Sequence, residues 1–186
     1  MIQDRVESNI VRRINAWRKS SAASALCAAL LAAFPAEAAS GAPIKLAMFD
    51  FELEDFTDRP GETPSDTEHL RRVTDEVRQL LAQSGRYSLI DVGSADAAVV
   101  KKHALRDCNG CDAGIALKLG AEQSFVGVVK RISRTEYTIR FQIRDAPTGT
   151  VVSTEDSGLR MGADYSWNRG AARLIKDRLL ERATQQ

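Results

Sequence analysis

The sequence predicts an α/β (α+β) fold: one small domain, ordered β-α-β-α-α-β-β-β-α, with helices packed on a mixed sheet. Three observations carry this. The chain has 186 residues, the length of a single domain. An apolar run at 44–53, a helical repeat and a second apolar run at 87–92 follow one another, which implies a parallel crossover. Residues 138–144 then alternate strictly, the mark of an antiparallel strand with one wet face.

The elements follow in order. Ile44, Leu46, Ala47, Met48, Phe49, Phe51 and Leu53 make a nearly continuous apolar run, which predicts one strand buried on both faces. Residues 54–64 are a polar loop containing Pro60-Gly61. Ser65 and Glu68 form a capping box, and Leu70, Val73, Val77, Leu80 and Leu81 recur at helical spacing. Ser84-Gly85 ends that helix, and residues 87–92 give the second strand. Ser94 is placed to cap a second helix reaching Leu105. Cys108-Asn109-Gly110-Cys111 interrupts the chain, and residues 112–119 make a short helix closed by Gly120. Residues 125–132 are a Val-rich strand. In 138–144, Ile139, Phe141 and Ile143 share one face, and Arg140, Gln142 and Arg144 share the other. Residues 145–149 carry turn chemistry, and 150–154 return as the hairpin partner. A last helix from near Ser166 buries Trp167, Ala171, Leu174, Ile175 and Leu179.

Composition is that of an ordinary globular chain, 44% hydrophobic and 27% charged. The net charge of +1 offers no basic excess for nucleic acid and no acidic tail. The first forty residues read as an address. Arg12, Arg13, Arg18 and Lys19 precede an uncharged stretch at 20–36, whose centre at 22–34 is rich in Ala and Leu. Pro35 breaks it, and Ala36-Glu37-Ala38 places small residues where a signal peptidase needs them. The apolar centre is shorter than the roughly 17–25 residues of a membrane span. Residues 1–38 are therefore expected to be a signal peptide, and 39–186 a single α/β domain exported to a bacterial periplasm without a membrane span. Cys27 does not suit lipid attachment, because Leu26 stands where a small residue is needed.

The opening "KLAMFDFELED", the central "RDCNGCDAGIALKLGAEQSFVGVVKRIS" and the closing "SWNRGAARLIKDRLL" resemble a family of exported bacterial domains of unknown function. The layout is similar to the α/β domain at the amino end of the TolB translocation protein, and to the periplasmic part of the curli secretion channel CsgG. The resemblance covers residues 43–180. It implies no catalytic residue and no cofactor. It also suggests a place beside periplasmic quinoprotein oxidation systems.

Cys108 and Cys111 are the cysteines that remain after cleavage, and in an oxidising compartment such a pair closes into a disulfide. The alternative is thiol-disulfide exchange through this CxxC. Against it, a helix precedes the motif, and Asp107 and Asp112 flank it, which disfavours the thiolate. Glu52, Glu54, Asp55, Asp58, Glu62 and Asp66 gather at the carboxyl end of the first strand, where α/β sheets bind ligands. A metal or small-ligand carrier using this loop, 52–66, is a weaker alternative, because the spacing lacks a calcium loop's regular ligands. No metal site is expected. His69 and His103 read as surface histidines. Arg131, Arg134, Arg140 and Arg144 make a basic side to the hairpin, either solvated or docking an acidic partner. The reading that results is a non-catalytic binding or assembly module. Its candidate ligand or partner surface comprises Glu52, Glu54, Asp55, Asp58, Arg140 and Arg144, and its partner is an unnamed periplasmic or outer-envelope protein.

Overall fold

The computed structural model describes residues 41–93 and 104–181. In chain order the described elements are β1 (Ile44–Met48), β2 (Glu52–Asp55), α1 (Pro64–Gln83), β3 (Tyr87–Ile90), a 3-10 turn (Leu105–Asp107), α2 (Cys111–Lys118), β4 (Gln123–Ser133), β5 (Glu136–Asp145), β6 (Val151–Asp156), β7 (Arg160–Met161), a second 3-10 turn (Asp164–Ser166) and α3 (Trp167–Leu174). The turns after α3, Ile175–Leu180, widen to π geometry. The strands form one mixed sheet in the order β3-β1-β4-β5-β6, with β2 beside β4 and β7 beside β5. β1 runs parallel to β3 and β4, and β4, β5 and β6 are antiparallel. This is the α+β class the sequence predicts. The helix expected from Ser94, with His103 in it, lies outside the described residues, as do residues 1–40.

The sequence predicts one strand over 44–53; the chain instead forms two, and the break between them organises the core. Both run parallel to β4, but Met48 lies opposite Phe125 and Glu52 opposite Val128. Four steps on one side match three on the other, so one extra residue is accommodated. Side chains alternate residue by residue, so this exchanges the faces. Before the break, Leu46 and Met48 join the core formed with α1 and α3, while Ala47 and Phe49 join a second, smaller one. After it, Phe51 and Leu53 belong to the first. The Phe51 N–H leaves the ladder, and the buried Thr74 Oγ1 of α1 accepts it at 2.9 Å. A buried N–H requires such a partner. The Phe51 ring fills the space over Gly127, where any Cβ would collide with it.

The cap of α1 also differs. Thr63, not Ser65, caps the helix, with Pro64 in its first turn. Thr63 Oγ1 accepts the Asp66 N–H at 3.2 Å, and the Asp66 carboxylate accepts the Thr63 N–H at 2.8 Å. Glu68 pairs with Arg71 and Arg72 instead.

The larger core joins Leu70, Val73, Val77 and Leu81 of α1 to Ile139, Phe141 and Ile143 of β5. Trp167, Ala171, Leu174, Ile175 and Leu179 complete it, all five as expected. The Phe125 and Phe141 rings stack at 5.4 Å. On the opposite face, α2 brings Ala116 against Phe49, Val126 and Val128, with Cys108 and Cys111 packed beside them.

Gly127→Ala should cost about 1–3 kcal/mol in chemical denaturation, because the Phe51 ring must move. Adding Phe51→Leu should return part of that loss. A cost under ~0.5 kcal/mol would mean the ring is not seated on Gly127.

Candidate functional site

The face opposite α1 and α3 carries a groove of about 210 Å³, lined by Glu54, Arg106, Asn109, Lys130, Arg140 and Arg144 among others. Alternation sets this up. Ile139, Phe141 and Ile143 turn into the larger core, so Arg140, Gln142 and Arg144 turn the other way. Val126 and Val128 form part of the apolar lining.

Most charges in the groove are matched. Glu54 pairs with Lys130 at 2.9 Å. Glu52 accepts the Leu105 and Arg106 N–H groups at 2.6 and 3.1 Å and pairs with the Arg106 guanidinium at 3.1 Å. Glu52 therefore satisfies the first donors of the 3-10 turn. The buried Asp112 accepts the Ser124 hydroxyl at 2.6 Å and lies 3.7 Å from Arg144 Nε. Arg144 also donates to the Gly149 carbonyl at 2.9 Å and to Asn109 Oδ1 at 3.4 Å, linking the β5–β6 turn to the cysteine loop. Arg140 differs. It is exposed, donates only to Thr154 Oγ1 at 3.4 Å, and makes no ion pair among the described residues.

Cys108 and Cys111 are joined in a disulfide with Cα atoms 5.6 Å apart. Asn109 and Gly110 take positive φ values of 43° and 110° to close the loop, and Cys111 opens α2. The sequence places Asp107 and Asp112 beside the sulfurs, but their charges are directed elsewhere. Asp107 faces Arg106 at 3.5 Å, and Asp112 turns inward to Ser124 and Arg144.

The remaining acids sit on the other face. Arg131, its side chain 12% exposed, reaches Asp55 and Asp66, each at 2.7 Å, and lies 3.6 Å from Asp164. Its guanidinium also approaches the Trp167 ring, at 5.9 Å. Asp55 further accepts the Thr57 and Gly61 N–H groups, at 3.0 and 3.1 Å. The hydrogen bond from Arg131 is the main reason its carboxyl is held far below the usual carboxylate range, against the cost of burial. Burial opposes ionisation of Asp66, but hydrogen bonds from Thr63 and Arg131 outweigh it and lower its pKa too. Arg131 is correspondingly raised. Asp58 is exposed in the following loop.

The basic side read from the sequence is therefore two sides. Arg131 packs under α1 and α3, while Arg140 and Arg144 face the groove. The acidic set divides likewise: Glu54 lines the groove, Glu52 holds the Leu105–Arg106 turn, and Asp55 and Asp66 hold Arg131. The surface reading of His69 does not hold either. It is half-buried, edge-on to Trp167 with ring centres 6.1 Å apart. Atoms of Asp66, His69 and Asp164 come within 4.8 Å of one another, but the Arg131 guanidinium already holds Asp66. Neither Arg106 nor Lys130 was marked as a site residue by its sequence context. Lys130 was detectable only as the outward neighbour of Val129 in an alternating strand.

Residues 44–179, from the start of β1 to the end of the α3 region, match the family DUF3280, described as "Protein of unknown function (DUF2380)". The chain belongs to this family. It is also similar to three solved structures. The LpoB C-terminal domain from Salmonella enterica matches at 16% identity over 64% of this chain and 84% of that one, with a TM-score of 0.47. Lipoprotein GNA1162 from Neisseria meningitidis matches at 8% identity over 77% and 100%, with a TM-score of 0.47. TolB from Acinetobacter baumannii matches at 14% identity over 72% and 27%, with a TM-score of 0.40. At these values the likenesses say nothing of function. Among the described residues of this DUF3280 member, no helix is long and apolar enough to cross a membrane.

Arg131→Met leaves two buried carboxylates without their cation and should cost about 3–5 kcal/mol at neutral pH. Asp55 and Asp66 have depressed folded-state pKa values. Their contribution is thus complete above the unfolded value of about 3.9 and is lost as pH falls below it. The wild type should weaken steadily on acidification from about pH 5, while the variant should lose that dependence. Parallel denaturation curves of the two proteins across this range would refute the assignment.

Proposed function

We propose that this protein is an exported periplasmic, non-catalytic binding or assembly module. Residues 1–38 are its signal peptide and 39–186 its single domain. The Cys108–Cys111 disulfide fixes the loop that borders the groove, and a protein partner docks there. The observation that carries the reading is Arg140: an exposed cation in a groove whose other charges are matched within the protein. An anionic group on a partner would complete it. The basic and apolar leader supports export, and a CxxC disulfide suits an oxidising compartment. The reading extends to a role accessory to an envelope or periplasmic oxidation system.

Protein recovered from the periplasm should begin near Ala39 by amino-terminal sequencing. A photo-cross-linker beside Arg140 should then trap an exported protein in cells. Arg140→Glu should lose that adduct while its melting temperature stays unchanged, since exposed substitutions move stability by less than about 0.5 kcal/mol. Equal trapping by wild type and variant would remove the groove from the mechanism.

Replacing Cys108 and Cys111 together by Ser should lower stability by about 2 kcal/mol, the chain-entropy value for so small a loop. Partner trapping at low temperature should persist. A mixed disulfide captured on Cys111→Ser protein would instead assign thiol exchange, with Cys108 as the attacking sulfur.

A further inference from the structure

The two halves of the first apolar run differ in what lies beside them. β1 has β3 along its outer side, paired from Ile44 to Ala47. β2 pairs with β4, and its other edge carries no strand among the described residues. The direction of its backbone groups follows from one bond. The Phe56 N–H is donated to the Arg131 carbonyl at 2.9 Å. Main-chain groups of successive residues in a strand point to opposite sides. Those of Glu52 and Glu54 therefore serve β4, and those of Phe51, Leu53 and Asp55 point away. Thr74 Oγ1 accepts the Phe51 N–H at 2.9 Å. The Leu53 N–H and C=O have no such partner among the described residues, although Leu53 is only 9% exposed. Backbone groups in a buried residue need an acceptor and a donor from somewhere.

This edge lies in a cleft. A space of about 570 Å³ is lined by Phe51 and Leu53 of the edge, by Thr67, Leu70 and Arg71 of α1, and by Arg106. Arg106 belongs to the 3-10 turn whose Leu105 packs in the smaller core, so α1 and this turn wall the edge from the two faces of the sheet. A second space of about 420 Å³ continues past Leu53 to Asp55 and Gly61. The ionic groups along the cleft are matched: Arg71 with Glu68 and Asp75, Arg78 with Asp50, and Arg106 with Glu52. What the cleft leaves unpaired is backbone.

We propose that a protein partner docks here by adding an extended segment to the sheet, as a strand beside β2. An extended chain presents N–H and C=O groups to one side at every second residue, roughly 7 Å apart. That is the repeat of Phe51, Leu53 and Asp55 along the edge. The added strand would satisfy Leu53 as a neighbour satisfies an interior strand. Because the ionic groups are matched, the segment needs no charge where it lies against β2. Its affinity comes from backbone pairing, and its side chains enter beside Leu70 and Thr67. Arg140 lines neither part of the cleft, so the inference does not rest on the groove.

A phage-displayed library of random heptapeptides would be panned on the purified protein and counter-selected on Thr67→Trp. The added ring fills the cleft from an exposed position of α1, and an unchanged melting temperature would show that the variant folds. Enriched peptides, made synthetically, should bind wild type and lose about tenfold or more in affinity for Thr67→Trp. Arg140→Glu should bind them as wild type does, which separates this site from the groove. N-methylation along the peptide should weaken binding at every second residue and spare those between, as for a strand paired along one side. The Leu53 amide should exchange faster than that of Glu54 in the free protein, and slow when peptide binds. No enriched peptide, binding untouched by Thr67→Trp, methylation without alternation, or a Leu53 amide already protected in the free protein would overturn the proposal. So would self-association that Thr67→Trp abolishes, which would give the edge to a second copy of the chain.

Discussion

The single residue added between Met48 and Glu52 is the constraint on which the rest of the fold depends. A regular strand here would send Ala47, Phe49, Phe51 and Leu53 to one face of the sheet. The extra residue divides them, Ala47 and Phe49 to the smaller core and Phe51 and Leu53 to the larger. The irregularity frees one backbone N–H, which Thr74 accepts, and places one ring where only a glycine leaves room. Helix α1 is thus tied to the sheet by a hydrogen bond as well as by Leu70, Val73, Val77 and Leu81. Both halves of the first apolar run keep β4 as their partner, so β4 becomes the spine against which β1, β2 and β5 all align.

Charge is distributed to fit this frame. Arg131 toward the end of β4 gathers Asp55 at the end of β2, Asp66 in the first turn of α1, and Asp164 before α3. Three segments distant in sequence meet on one guanidinium. Of the acids at 52–66, Asp55 and Asp66 are held by the protein's own arginine. On the opposite face, Glu52 and Arg106 fix the approach to the cysteine loop, and Asp112 and Arg144 fix its exit. The disulfide closes a loop whose two ends are already positioned by ion pairs.

Arg140 stands apart from the matching of charges within the groove. It lines the groove and makes no ion pair among the described residues. An exposed cation among matched charges is a physical reason to look for a partner there.

Much of the fold was legible in the amino-acid order. Alternation in Ile139, Phe141 and Ile143, helical spacing in Leu70 to Leu81, and the closing stripe from Trp167 to Leu179 all depend on neighbours a few residues away. Local periodicity records such neighbours directly. The Cys108–Cys111 pairing was legible for the same reason, with three residues of separation. The break after Met48 was not, because an apolar run reads the same with or without an added residue; only registry against Phe125 and Val128 of β4 reveals it. The division of the charged residues was likewise invisible. Arg131 and Arg140 carry the same group, and their opposite fates follow from which face each strand position presents once β4 and β5 are paired. Sequence fixes alternation within a strand, but the face that meets α1 and α3 is decided by the packing of the whole sheet.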